Sequence, residues 1–201
     1  MDVLCLDLEG VLVPEIWVGV AERTGIEELR KTTRDVPVYD ELMKLRLGIL
    51  DHQGIDFATI QGVIGTLRPL PGAVEFLEWA RARFQVAIIS DTFYEFAQPL
   101  MAQLQWPLLL CHRLEVVNGR IAGYRIRQPD PKRQSVKAFQ SLRYRVFAVG
   151  DSYNDVPMLE EADHGFFYRC PAPIAKQYPQ FPLAGTYPAL QGLLSESAAV
   201  A

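Results

Sequence analysis

The chain has 201 residues, is 49% hydrophobic and 22% charged, and is therefore long enough to bury one sizeable core at an ordinary globular composition. Its net charge of −4 gives no electrostatic reason to expect nucleic acid or an anionic membrane as partner. No apolar run approaches the ~20 residues of a membrane span, and Asp2 and Asp7 argue against a signal peptide, so a cytoplasmic protein is expected. Cys5, Cys111 and Cys170 are widely separated and form no CxxC pair, which reads as reduced structural thiols. His52, His112 and His164 share no metal-ligand spacing and read as surface or packing residues.

Residues 3–8 form a short, continuous apolar run, the pattern of a strand buried on both faces of a parallel sheet. Glu15 to Thr24 follows as a helix after Pro14, closed by Gly25. Tyr39 to Leu50 and the stretch capped by Asp56 are helical as well, and nothing in 14–68 reads as a strand. Pro69-Leu70-Pro71-Gly72 marks the return to alternation, with a helix from Gly72 to Arg83. Val86 to Ile89 repeats the buried-strand pattern and ends in Ser90-Asp91-Thr92, which reads as the opening of a helix from Phe93 to Leu104, bent near Pro99. Leu108 to Cys111 is a third buried strand. Asn118-Gly119 between alternating runs predicts an antiparallel hairpin over Leu114 to Ile126. Pro131 starts a helix to Leu142, Val146 to Val149 is a strand ending in Gly150-Asp151, Asn154 to Ala162 is helical, and Gly165 to Tyr168 is the last strand. A weak terminal helix follows, and Ser195 to Ala201 is expected to fray.

Strands alternating with helices predict a doubly wound α/β core with a mostly parallel sheet. The division expected is a core of residues 1–13 and 69–201, with a helical cap of 14–68 inserted after the first strand and the hairpin as a flap. Ligands in such sheets bind at the carboxyl ends of the strands. Asp7, Glu9, Ser90 and Asp151 should then meet at one rim.

Those residues share a chemical theme. Phosphoryl transfer asks mainly for positioning and for neutralisation of a dianion. Asp7 can ligate Mg²⁺ through one oxygen and attack phosphorus with the other, giving an aspartyl phosphate. Glu9 is placed to protonate the leaving alcohol and then to activate the acceptor, and its backbone carbonyl can reach the metal. Asp151 is the second side-chain ligand, with Asp155 orienting water or Lys132. Ser90 and Lys132 are phosphate clamps, and Asn154 hydrogen-bonds near the phosphate. Each piece alone has a plainer reading. The first segment could be an acidic turn, Ser90-Asp91-Thr92 a helix cap, Lys132 a solvated lysine, and Asp151 and Asp155 acids complementing a helix dipole. Gly-Asp-x-x-Asn-Asp at a buried strand's end is more than capping alone needs, and the ordered set favours the chemical reading.

The ordered set Asp7-x-Glu9-Gly10-Val11, Ser90, Lys132 and Gly150-Asp151-x-x-Asn154-Asp155 resembles the haloacid dehalogenase superfamily of aspartyl-nucleophile phosphatases. The resemblance covers residues 1–170, and the helical insertion is similar to the small cap of phosphoserine phosphatases. It implies that the cap binds the amino-acid part of the substrate. Glu15 would take the ammonium and Arg46 the carboxylate, with Met43 nearby on the same helix. The sequence departs from ordinary phosphoserine phosphatases at Glu9, where Asp is usual, at Gly10-Val11, and at Asp91-Thr92, where two glycines are usual. Asp91 must point away from the phosphate, or like charges would repel. These departures, with Ser90 to Phe96 and Asp130 to Val136, resemble the phosphoserine phosphatase/homoserine phosphotransferase type. That implies a Mg²⁺ enzyme moving phosphate from O-phosphoserine to water or to homoserine, with Asp91, Thr92, Lys132 and Asn154 also lining the substrate. A homodimer is left open. Two alternatives stand beside this reading: a phosphatase of the same fold for a sugar phosphate or nucleotide, and a phosphate-binding scaffold with a dead site.

Overall fold

The computed structural model describes residues 1–32, 35–36 and 38–199. Among the described residues, seven strands form one sheet in the order β4-β3-β2-β1-β5-β6-β7, all parallel except β4. The central strand β1 (Asp2–Leu6) lies between β2 (Gln85–Phe93) and β5 (Arg145–Gly150), with Leu6 opposite Ile88 on one side and Val149 on the other. This register sets the site. Asp7, the residues after Ile89, and Gly150-Asp151 all emerge at the same carboxyl edge, where the strand order switches direction.

The apolar strands are read in alternation by two helical layers. Leu4 and Leu6 face one layer, and Val3 and Cys5 the other. The first layer contains α4 (Ala73–Arg81), α5 (Tyr94–Gln103) and the terminal α9 (Tyr187–Ala199), while α6 (Pro131–Ser141), α7 (Val156–Glu161) and α8 (Ala172–Gln177) cover the second. Between β1 and α4 lie the helices α1 (Ile16–Thr24), α2 (Tyr39–His52) and α3 (Phe57–Ile64), with a short 3-10 turn at Glu27–Arg30. Gly25 closes α1 with φ 73°, a left-handed conformation that suits glycine. The Asp56 carboxylate caps α3 by accepting from Thr59 N at 2.8 Å. Ile16, Val20, Met43, Leu50 and Ile60 join the same hydrophobic cluster as Leu6 and Phe96, so this segment is packed onto the sheet.

Several expectations change. β2 does not stop at Ile89. It runs to Phe93 with an irregularity after Ile89, and α5 begins only at Tyr94. Ser90 is therefore not a helix cap: its Oγ accepts from Thr92 N at 3.2 Å within the strand. The third strand and the hairpin are one element. β3 (Leu108–Val117) pairs parallel with β2 at its start and antiparallel with β4 (Arg120–Arg125) at its end. Asn154 lies in a 3-10 turn, Tyr153–Asp155, because the reciprocal Ser152–Asp155 capping box and Pro157 delay α7 to Val156. After β6 (His164–Tyr168) comes a strand absent from the expectation, β7 (Leu183–Ala184). The terminal helix is firm through Ala199, since Tyr187, Leu190 and Leu194 are buried. Val200 and Ala201 lie outside the described residues.

Candidate active site

Asp7 follows the last residue of β1 and is 5% exposed. Its backbone N–H donates to Val149 O at 3.0 Å, and its Oδ1 accepts from Leu8 N at 2.8 Å. Lys132, in the first turn of α6, is 2% exposed, and its Nζ lies 3.0 Å from Asp7 Oδ1 and 2.5 Å from Asp155 Oδ1. The other Asp155 oxygen accepts from Asp151 N at 2.9 Å and Ser152 N at 3.0 Å. Asp155 thus ties Lys132 to the loop that carries Asp151.

Charge balance sets the ionisation of this group. Burial and the neighbouring Asp155 push the Asp7 carboxyl well above the usual carboxylate range, and Lys132 works against them. Burial opposes the Lys132 charge, but Asp155 and Asp7 outweigh it and hold the ammonium well above its ordinary value. Carboxylate oxygens of Asp7, Asp151 and Asp155 all lie within 4.8 Å of one another. An all-oxygen set of this kind suits a hard divalent cation, and one lysine leaves negative charge over for it. The two glycines of these motifs are required by the carboxylates. A β-carbon at Gly10, whose φ is 79°, would fall under 3.0 Å from the Asp151 carboxyl atoms, and one at Gly150 would overlap Asp155.

Glu9 turns from this cluster toward the helical segment. Its Oε2 accepts from Ile16 N at 2.8 Å, the first free N–H of α1. Burial and then the like charge of Glu15 raise the Glu9 carboxyl to about 8. The protonated form of Glu9 is thereby favoured. Glu15 is itself exposed. Arg46 is 7% exposed, lies 4.5 Å over the Trp17 ring, and donates from Nη2 to Lys31 O at 2.7 Å. Met43 Sδ lies 3.9 Å from its Nη1. Among the described residues, Arg46 Nε is buried with no partner. Burial lowers its affinity for its proton to about 10, against the pull of Glu9, Tyr39 and Glu15.

The remaining expected residues form a third group. Ser90 and Thr92 are buried in β2, one strand over from Asp7. The Asp91 carboxylate is turned to Asn154, whose Nδ2 donates to Oδ2 at 3.0 Å, while Asn154 Oδ1 is engaged by Ser152 Oγ. Sequence reasoning missed His112, which is 3% exposed with Nε2 3.7 Å from Asp91 Oδ1, and Tyr39, whose OH donates to Asp91 O at 3.0 Å. Neither carries a spacing that could mark it. The glycine before Asp151 was a readable signal.

The profile of haloacid dehalogenase-like hydrolases matches residues 1–163. The chain belongs to the haloacid dehalogenase-like hydrolases. This family member is 61% identical over 188 residues to the phosphoserine phosphatase ThrH of Pseudomonas aeruginosa, a match covering 93% of this chain and 92% of that one. It is 60% identical over 192 residues to a phosphoserine phosphatase of Pseudomonas syringae pv. tomato, covering 95% and 81%. Among solved structures, the phosphoserine phosphatase of T. onnurineus superposes with a TM-score of 0.72 at 27% identity, over 96% of this chain and 93% of that one. The fold expected of the haloacid dehalogenase class, a mostly parallel sheet flanked by helices, is the fold found. No helix among the described residues is long and apolar enough to cross a membrane.

Proposed function

We propose that this enzyme is a phosphoserine phosphatase that also passes phosphate to a hydroxyl acceptor such as homoserine, through an aspartyl phosphate on Asp7. The observation that carries the reading is Lys132, buried and bridging Asp7 and Asp155 beside Asp151. The substrate assignment draws on the relatives named phosphoserine phosphatase.

Asp7 attacks phosphorus through a carboxylate oxygen, and the bond to the serine oxygen breaks. Glu9, whose burial favours the protonated carboxyl, supplies the proton to that leaving oxygen. The same carboxylate then takes a proton from water or an alcohol as that oxygen attacks phosphorus and frees Asp7. Lys132 and the Ser90 hydroxyl hold the phosphoryl oxygens, and Asp155 keeps Lys132 charged and aimed. Mg²⁺ held by Asp7, Asp151 and the Glu9 carbonyl would offset the charge of the dianion. Residues 14–68 act as the cap. Arg46 receives the substrate carboxylate and Glu15 receives the ammonium.

Phosphorus NMR of O-phosphoserine with enzyme and Mg²⁺, with and without homoserine, tests this. Inorganic phosphate alone, and phosphohomoserine when homoserine is added, are expected, and Asp7→Asn should lose at least ~10³-fold in rate. Turnover that survives Asp7→Asn would end the reading.

A further inference from the structure

A carboxylate at position 91 is a liability beside a phosphate site, because it adds like charge where the reaction needs less. Asp91 directly follows the Ser90 clamp, and its charge reaches the site: it disfavours ionisation of Asp7 and favours the charge on Lys132. The fold answers with three contacts from three separate elements. Asn154 Nδ2 donates to one oxygen at 3.0 Å, and Tyr39 OH, from α2, fixes the backbone by donating to Asp91 O at 3.0 Å. The other oxygen lies 3.7 Å from His112 Nε2 on β3. His112 is itself oriented. Its Nδ1 accepts from Arg127 N at 3.3 Å, so the ring proton sits on Nε2, the atom that faces Asp91. Tyr39 and Phe93 pack around the ring, each with its centroid 6.2 Å away, and leave it 3% exposed.

We propose that His112 is a positioning residue that, acting through Asp91, holds the Asp91 carboxylate away from the phosphoryl site and against Asn154. The inference rests on the phosphatase reading for the place of the phosphate, and it makes His112 matter through one charge. In a purely structural role, His112 would matter equally whatever stood at position 91.

Inhibition by inorganic phosphate reads this directly, because the ion binds the site but needs no acid–base step. His112→Asn keeps an acceptor for Arg127 N and removes the donor that faces Asp91. It is expected to weaken phosphate inhibition about tenfold, the scale of one charge interaction of roughly 1.4 kcal/mol. His112→Gln, whose amide reaches the Nε2 position, should stay within about threefold of wild type. In the Asp91→Asn background, His112→Asn should then cost less than about twofold, since no charge is left to stray. An equal loss in both backgrounds, or a loss with Gln as large as with Asn, would overturn the proposal. Should His112→Asn fail to fold, His112→Ser removes the same donor with a smaller side chain and is compared in the same two backgrounds. Its loss of phosphate inhibition must likewise shrink in the Asp91→Asn background, and a loss that does not shrink overturns the proposal. Wild type without phosphatase activity that depends on Asp7 would instead point to failure of the phosphatase reading.

Discussion

Lys132 is the residue through which the site is most directly understood. A fully desolvated ammonium is costly, and here two carboxylates hold it in place. That arrangement explains why Gly150 has no side chain: the space where a β-carbon would stand is filled by Asp155. Gly150→Ala should push Asp155 off Lys132 and off the Asp151 loop. We expect a loss of about 2 kcal/mol or more in stability, read by denaturant unfolding, with activity falling in parallel. Arg46 makes a different prediction. Arg46→Ala should lower kcat/KM for O-phosphoserine about 10²–10³-fold, while an aryl phosphate lacking a carboxylate changes by only several-fold. Equal losses on both substrates would remove Arg46 from amino-acid recognition. The exchange of Asp for Glu at position 9 is testable in the same way. The longer side chain reaches Ile16 N and the edge of the helical segment, so it sits differently from a shorter acid. Glu9→Asp should change the ratio of inorganic phosphate to phosphohomoserine, and an unchanged ratio would separate acceptor choice from this residue.

At the level of elements, the long β3 is the consequential feature. It begins inside the sheet, and its far end carries the β4 hairpin over to the helices. Gly119 O accepts from Phe57 N at 2.9 Å at the start of α3, Arg120 pairs with Asp51 at 2.8 Å, and the Tyr124 hydroxyl engages Asp40 on α2. The hairpin and helices α2 and α3 are thereby joined at three points, so motion of one draws on the other. The start of α3 depends on its cap as well. Asp56→Ala should lower Tm, since Thr59 N then loses its acceptor. Much of this was legible beforehand. Asn118-Gly119 marked the hairpin and Asp56 marked the cap, because both act on the backbone over a few residues. The fusion of strand and hairpin was not legible, since it depends on which neighbour each half of β3 pairs with.

Across the whole molecule, the two chain ends close on the sheet. Arg145 at the start of β5 donates to both Asp2 oxygens, at 3.1 and 2.7 Å, and to Ala198 O at 3.1 Å on α9. Its hydrogen bonds hold the Asp2 carboxyl below its ordinary value of 3.8. The folded state therefore binds that proton more weakly than the unfolded chain. The resulting stabilisation is complete above about pH 5 and is lost as pH falls through the folded value. Arg145→Ala should lower stability by about 1 kcal/mol at pH 7, and the gap to wild type should narrow in unfolding measured toward pH 2, leaving the part due to Ala198. A gap that does not depend on pH would assign the whole effect to α9.

The residue types needed for phosphoryl transfer, their order along the chain and the strands that present them were determined by the sequence alone. Apolar runs ending in acids are local patterns, and local patterns follow from burial and backbone geometry. The arrangement of those residues was decided only in three dimensions. Ser90 proved to be a strand residue, Glu9 turned to a helix end, and His112 came to lie against Asp91. Each of these depends on contacts between segments far apart in the chain, and a strand's neighbours are set by the packing of the whole sheet.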